Sequence, residues 1–233
     1  MKRRVLTFTL ILLLGFVSTT LADDHSHGGM VYSNGSLDAN DAERIIYCQY
    51  DEYYGWVSRL TDDWTIFADG NIDGLAWLGG WDSTVGTYHK PAWWDIEIYT
   101  ELNDLPEQEP GSPYWTIEVP ADDVTDEFQG ISGIWNYHRY ECDLPTDFAF
   151  QAGVTYWLVA LPRADVPPRI GSAAIPATDF GKDMAYASEY FGWPDWTPDY
   201  QIYSEYYRWP FELYGTLGSS IKEASWGEIK AGI

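Results

Sequence analysis

Short apolar and aromatic runs, separated by turn residues, make up most of this chain. Between Trp93 and Thr100, apolar residues at positions 94, 96 and 98 alternate with acidic residues at 95 and 97, which is the period of a strand with one buried face. Similar runs, rich in Trp, Tyr, Ile, Val and Thr and bounded by Gly, Pro or Asp, lie at Trp64–Phe67, Ile72–Trp81, Tyr114–Val119, Gly133–Cys142, Thr155–Leu161 and Phe211–Leu217. No helical periodicity intervenes, so the pattern predicts an all-β, antiparallel sandwich or barrel in a single domain.

Two segments do not follow this pattern. Asn103 to Pro113 is rich in proline and acidic residues, which is typical of a loop between strands. Phe180 to Trp209 carries many aromatic residues among prolines and glycines. It is long for a loop in a compact domain, which indicates either a functional segment or short local strands.

The N-terminus has the three parts of a secretory signal peptide. Three basic residues follow Met1, an apolar run extends from Val5 to Val17, and small residues precede Asp23, so cleavage is expected after Ala22. The alternative is a membrane anchor, but an apolar run of about 13 residues is short for a membrane-spanning helix. We therefore expect a secreted, extracellular or cell-surface protein of bacterial-type export, with no membrane span after cleavage.

These features divide the chain into four parts. They are a signal peptide at 1–22, a flexible polar segment at 23–30, a β-sandwich domain at 31–217 and a C-terminal tail at 218–233. The tail follows the last predicted strand. A docked short helix, a disordered end and a surface-sorting signal are all open interpretations of it.

The charge balance is strongly acidic. Against 36 Asp and Glu stand only 13 Lys and Arg, a net charge of −23 that becomes −26 when the three basic residues of the leader are removed. Nucleic-acid binding needs clustered Lys and Arg, so this class of partner is excluded. An acidic surface keeps a protein soluble and attracts cations, and some of these carboxylates are candidates for Ca²⁺.

The chain has two cysteines, Cys48 and Cys142. In an oxidising compartment, an even pair predicts a disulfide. The alternative is two buried free thiols. No C-x-x-C motif is present, so neither a redox site nor a zinc site is indicated.

Six segments in sequence order resemble a jelly-roll-like β-sandwich module of bacterial secreted proteins. They begin at Val31 (VYSNG), Thr61 (TDDWTI), Ile72 (IDGLAWLGGW), Trp94 (WDIEIY), Phe150 (FQAGVTYWL) and Phe211 (FELYGT). The resemblance extends over residues 31–217 and implies a jelly-roll-like sandwich on an exported protein. It implies no catalytic residues, because members of this family are largely uncharacterised.

Two segments are candidate metal sites. Asp69, Asn71 and Asp73, followed by Gly74, match the first half of an EF-hand loop, whose oxygen ligands suit Ca²⁺. The twelfth position of such a loop would be Gly80 rather than a bidentate Glu, and a plain hairpin turn is the alternative. Cleavage after Ala22 would create a new terminus, Asp23-Asp24-His25, whose amine, amides and imidazole form a square-planar nitrogen set for Cu²⁺ or Ni²⁺.

Thirteen tryptophans and 18 tyrosines supply large aromatic surfaces. Those within predicted strands are expected in the core; they are Trp64, Trp77, Trp94 and Trp157. Trp193, Trp196 and Tyr200 lie in the Pro- and Gly-rich segment, and we expect them to be exposed and available for stacking on a ligand such as a sugar; packing within the loop is the alternative.

No catalytic motif is present: the chain contains neither a G-x-S-x-G elbow nor an H-E-x-x-H pair. The first hypothesis is therefore a secreted, non-catalytic extracellular or cell-surface protein. The second is a carbohydrate- or ligand-binding module, with or without Ca²⁺, whose partner is a polysaccharide or a cell-surface component. The third is a glycoside-active enzyme. Exposed coplanar aromatic residues in a cleft would favour the second, and a pocket with convergent carboxylates the third.

Overall fold

The computed structural model describes residues 27–177 and 184–218. Within these residues the chain forms sixteen strands, a 3-10 helix at Ala121–Asp123 and one α-helix, α1, at Asp199–Tyr203. The strands are β1 Gly29–Ser33, β2 Arg44–Tyr47, β3 Gln49–Asp51, β4 Trp56–Thr65, β5 Gly70–Asp82, β6 Trp93–Leu102, β7 Leu105–Pro106, β8 Trp115–Pro120, β9 Val124–Ser132, β10 Trp135–Phe150, β11 Thr155–Arg163, β12 Ile170–Pro176, β13 Ala185–Ser188, β14 Trp193–Pro198, β15 Tyr207–Arg208 and β16 Phe211–Leu217.

The strands form two sheets. Sheet A has the order β1-β16-β5-β10-β9, and β12 pairs with β5, β2 and β15. Sheet B has the order β14-β13-β4-β3-β11-β6-β7, with β8 on the other side of β6. Among the described strands, β3 and β11 form the one parallel pair. The prediction of an all-β, sandwich-like single domain is confirmed.

The core lies between the sheets and is built largely from aromatic rings. Trp77 of β5 meets Trp94 of β6 edge to face, with ring centroids 4.9 Å apart, and Tyr140 of β10 contacts both. Trp64 and Trp157 are also buried. The four tryptophans expected in the core are therefore there, each at most 2% exposed. Large flat rings fill the space between two twisted sheets because they bury much area with few rotatable bonds.

The long aromatic segment resolves into local structure. Its described residues include β13, β14, α1 and β15, so of the two interpretations the structure favours short local strands. The Pro- and acid-rich segment at 103–113 is a loop apart from the two-residue strand β7. The last predicted strand, Phe211–Leu217, coincides with β16.

The N-terminal end of the domain is packed against sheet A. The His27 ring stacks on Tyr214 with centroids 4.1 Å apart, and its Nε2 lies 3.0 Å from Glu141 Oε1. Asp73 accepts the backbone N–H of Gly28. Strand β1 begins at Gly29, so residues 27–30 belong to the folded domain and not to the flexible segment predicted at 23–30.

None of the helices in the described ranges is long and apolar enough to cross a membrane. The signal peptide predicted at 1–22 and the tail from residue 219 lie outside the described residues.

Candidate functional site

Five exposed aromatic side chains form one contiguous patch at an end of sheet B, which we call the aromatic cluster: Tyr53, Tyr54, Trp56, Tyr190 and Phe191. Trp56 stacks on Tyr54 with centroids 4.6 Å apart and on Tyr190 at 4.0 Å. Tyr53 and Phe191 meet the two ends of this stack edge to face. Each ring is at least 39% exposed. Contiguous exposed apolar patches are costly in water, and they often mark interaction sites.

Two turns hold the cluster in place. Asp51, at the end of β3, is 2% exposed, and its Oδ1 accepts the backbone N–H groups of Tyr53 and Tyr54. Gly55, with φ of +70°, then redirects the chain so that Trp56 begins β4. On the other side, the Ser188 hydroxyl accepts the N–H of Phe191. The rings are thus preorganised by buried polar anchors and by each other.

Cavities lie on both sides of the Trp56–Tyr190 contact. One, of about 240 Å³, lies against Arg59, Pro110 and Glu189. A smaller one, of about 70 Å³, reaches Tyr47, Gln49 and Arg169 at the end of the sandwich. Trp56 and Tyr190 line both cavities.

The larger cavity continues into a groove on the outer face of sheet B. Val57 and Arg59 of β4 line both. The groove has a volume of about 580 Å³ and crosses β4, β3, β11, β6 and β8. Neighbouring strands are about 4.8 Å apart, so it extends on the order of 15–20 Å. We call this groove, together with the cavity next to Trp56, the outer groove.

Charged side chains project into the outer groove because strands alternate their faces. In β6, residues 94, 96 and 98 face the core, which places Asp95 and Glu97 on the opposite face. Arg59 donates from Nε and Nη2 to the two Glu97 oxygens at 2.8 and 3.1 Å. Tyr99 donates to the same carboxylate at 2.7 Å. Burial and the charge of Glu97 raise the pKa of Tyr99, so its phenol remains a donor.

Asp95 is held less completely. Its Oδ2 accepts from Arg163 Nε at 2.6 Å, and Arg163 also donates to Glu118 at 2.7 Å. Asp95 Oδ1 is buried and has no hydrogen-bond partner. Burial raises the pKa of Asp95, and the hydrogen bond and charge of Arg163 oppose this only in part. A buried acceptor without a donor is costly, so the Asp95 carboxylate lacks stabilisation in the free protein.

Comparison of the chain with protein-family models, with curated proteins and with solved structures gives no match.

The three aromatic residues predicted to bind a ligand do not form a joint surface. Trp196 is 9% exposed, packs edge to face on Tyr99 and donates from Nε1 to the Gln108 carbonyl. Trp193 is half-buried and packs against the core. Tyr200 is exposed but stacks on Tyr206. Trp196 is buried because it lies in β14 and contacts the loop at 103–113 through the Gln108 carbonyl. A loop interpretation of this segment does not predict that contact.

The segment predicted to bind Ca²⁺ is not a loop. Strand β5 begins at Gly70, so Asn71 and Asp73 lie in extended backbone. Asp69 accepts the Ala152 N–H and Asp73 that of Gly28, so their carboxylates serve separate structural roles. Across the described residues, no group of three or more His, Cys, Asp or Glu is arranged to hold a metal ion.

Gly74, which would be the turn glycine of such a loop, has another function in the structure. A Cβ at this position would lie 2.7 Å from the His27 Cβ, closer than two carbon atoms can approach. Gly74 thus leaves room for the His27 ring. The proposed Cu²⁺ or Ni²⁺ ligands, Asp23, Asp24 and His25, lie outside the described residues.

The predicted disulfide is not formed. Cys48 and Cys142 are both buried free cysteines, which is the alternative that the sequence left open. Cys48 lies between β2 and β3, where the chain passes from sheet A to sheet B, and its sulfur contacts the Ala160 carbonyl and the Leu60 N–H. Burial raises the pKa of Cys48 to about 12, so its thiol is unreactive.

The aromatic cluster was only half visible in the sequence. Tyr190 and Phe191 belong to the long aromatic segment at 180–209, whereas the strand pattern assigns no role to the run Tyr53-Tyr54-Gly55-Trp56. Three aromatic residues around a glycine at the start of a strand are the signal that identifies this cluster. That the two runs meet depends on β13 pairing with β4.

Proposed function

We propose that this chain is a secreted, non-catalytic protein that binds a carbohydrate chain in the outer groove. The observation that supports this most directly is the continuity of the groove, which runs from exposed, preorganised aromatic rings to a row of planar charged groups. Sugar rings have apolar C–H faces that pack on aromatic rings, and hydroxyls that bond to carboxylates and guanidinium groups. The aromatic end of the groove supplies rings for stacking on the C–H faces, and the charged end supplies carboxylates and guanidinium groups for the hydroxyls.

Further features fit this proposal. The rings of the aromatic cluster have few rotatable bonds and stack on one another, so ordering them on binding costs little entropy. The net charge of −23 disfavours polyanionic ligands. The leader pattern at residues 1–22 and the resemblance to bacterial secreted sandwich modules support a site of action outside the cell, on a polysaccharide or a cell-surface component.

The test is binding of the purified protein to a panel of soluble polysaccharides in affinity electrophoresis. Trp56→Ala and Tyr190→Ala should weaken binding at least about tenfold, because central aromatic residues carry much of the energy of an interface. Phe67→Ala is the matched control. Phe67 is 86% exposed and lies beyond the far end of the ten-residue strand β4, roughly 30 Å from Trp56.

A polysaccharide retained by the wild type and by Phe67→Ala, but not by Trp56→Ala, would support the proposal. Retention of no polysaccharide, or equal retention of all variants, would refute it. Trp196→Ala is not a suitable variant, because this side chain is buried and its loss would perturb the fold.

A further inference from the structure

The outer groove carries an uncompensated negative charge. On sheet B its titratable side chains are Tyr50, Arg59, Asp95, Glu97, Glu118 and Arg163, and the cavity next to Trp56 adds Glu189 and Tyr190. Four carboxylates therefore face two guanidinium groups. Arg59 satisfies both oxygens of Glu97, and Arg163 is divided between Asp95 and Glu118.

The excess charge is concentrated at Asp95. Glu118 lies at the rim, with its side chain 56% exposed, so water stabilises it. Asp95 is only 8% exposed, and its Oδ1 has no donor. Asp95 nevertheless lines the groove, and 11% of its side chain is exposed, so its carboxylate is within reach of a ligand there.

We propose that the outer groove selects an amino sugar, and that Asp95 binds its ammonium group. This inference rests on the proposed carbohydrate-binding function and names the class of sugar. An ammonium carries the positive charge that the groove lacks and has only donors, which matches an oxygen that can only accept. A neutral hydroxyl would satisfy the oxygen but leave the charge uncompensated, and a uronic acid would add a second negative charge.

The pKa of Asp95 agrees with this assignment. Burial holds the pKa above its ordinary value, which means that the ionised form lacks stabilisation in the free protein. A bound ammonium would stabilise the ionised form. Binding would then lower the pKa of Asp95, and affinity would fall as the pH is lowered through it.

The test uses two ligands that differ only at the nitrogen: a glucosamine hexasaccharide and its fully N-acetylated form. Binding of the purified protein is measured by isothermal titration calorimetry in mildly acidic buffer, where the amines are protonated. The wild type should bind the glucosamine oligomer about tenfold or more tightly than the acetylated one, since a hydrogen bond between charged groups is of that size. Added salt should reduce the difference.

Asp95→Ala should remove this preference, so that the two oligomers bind with about equal affinity. Asp122→Ala, which removes an exposed carboxylate outside the groove, should behave like the wild type. Circular dichroism and thermal unfolding establish that the variants are folded.

Each result has a distinct meaning. If the wild type binds both oligomers equally through Trp56, or if Asp95→Ala keeps the preference, the amino-sugar inference is wrong and carbohydrate binding stands. If the wild type binds neither oligomer, the inference fails, and the polysaccharide panel decides the proposed function separately.

Discussion

Replacing His27 with Phe should destabilise the protein in a pH-dependent manner. The ring of Phe keeps the stack on Tyr214 but loses the ion pair with Glu141. Both side chains of that pair are nearly inaccessible, 7% exposed for His27 and 3% for Glu141. Glu141 keeps its other partner, Arg139, so the variant tests the histidine contact rather than an isolated buried charge.

The magnitude follows from the type of bond. A hydrogen bond to a charged group contributes about 1.5–3 kcal/mol, which corresponds to a change in melting temperature of roughly 3–12 °C for a domain of this size. Burial by itself lowers the pKa of His27, but the Glu141 hydrogen bond, the Gly28 carbonyl and the charges of Glu141 and Asp143 together raise it above 6.5.

The sign follows from the raised pKa. The folded protein holds the His27 proton more tightly than the unfolded chain does, so the contribution is fully present below about pH 6.5. It is lost as the pH rises through the folded pKa. The free energy of unfolding of His27→Phe should therefore be lower than that of the wild type in mildly acidic buffer, and the difference should shrink in alkaline buffer.

Urea unfolding of both proteins at several pH values measures this difference. His89→Phe provides the control, because it removes an exposed imidazole outside the His27–Glu141 contact. A difference between His27→Phe and the wild type that is constant across pH would show that packing, and not the ion pair, accounts for the effect, and would refute the reasoning.

Two further predictions concern the core. Trp77→Ala should lower the free energy of unfolding by about 3–5 kcal/mol, because it opens a cavity beside Trp94 and Tyr140. Trp56→Ala should lower it much less in the same urea titration. Equal losses of stability in the two variants would contradict the burial assignments. Cys48 and Cys142 should react with a thiol reagent only after unfolding, and a reducing agent should leave the melting temperature unchanged; a drop in melting temperature on reduction would show that they form a disulfide.

The fold class was predictable because a sheet with one buried face leaves a period-two pattern in the sequence. In β6 the alternation of Trp94, Ile96 and Ile98 with acidic residues gave both the strand and its core face. The short strands β13, β14 and β15 were harder to predict. β14 contains Pro and Asp, and β15 has only two residues. β13 and β15 pair with β4 and β12, which are distant in sequence, so composition alone does not predict them.

The outer groove was not predictable by the same reasoning. Alternation correctly places Asp95 and Glu97 away from the core, but it predicts an exposed polar face. In the structure they are 8% and 5% exposed. Their cover comes from two arginines on other strands. Arg59 lies 38 residues from Glu97, and Arg163 lies 68 residues from Asp95, on strands whose register the sequence pattern does not fix.

Asp73 and Gly74 show why a short motif is weak evidence even when its residues are placed correctly. An Asp before a Gly suits a calcium loop because the Gly permits a sharp turn. The same pair also suits an extended strand that packs against residues 27 and 28. Gly74 makes space for the His27 ring, and the Asp73 carboxylate accepts the Gly28 N–H. The two explanations demand different backbone conformations at one position. Only the strand pairing of β5 with β10 and β16 decides between them, and it assigns Gly74 to anchoring the N-terminal end of the domain.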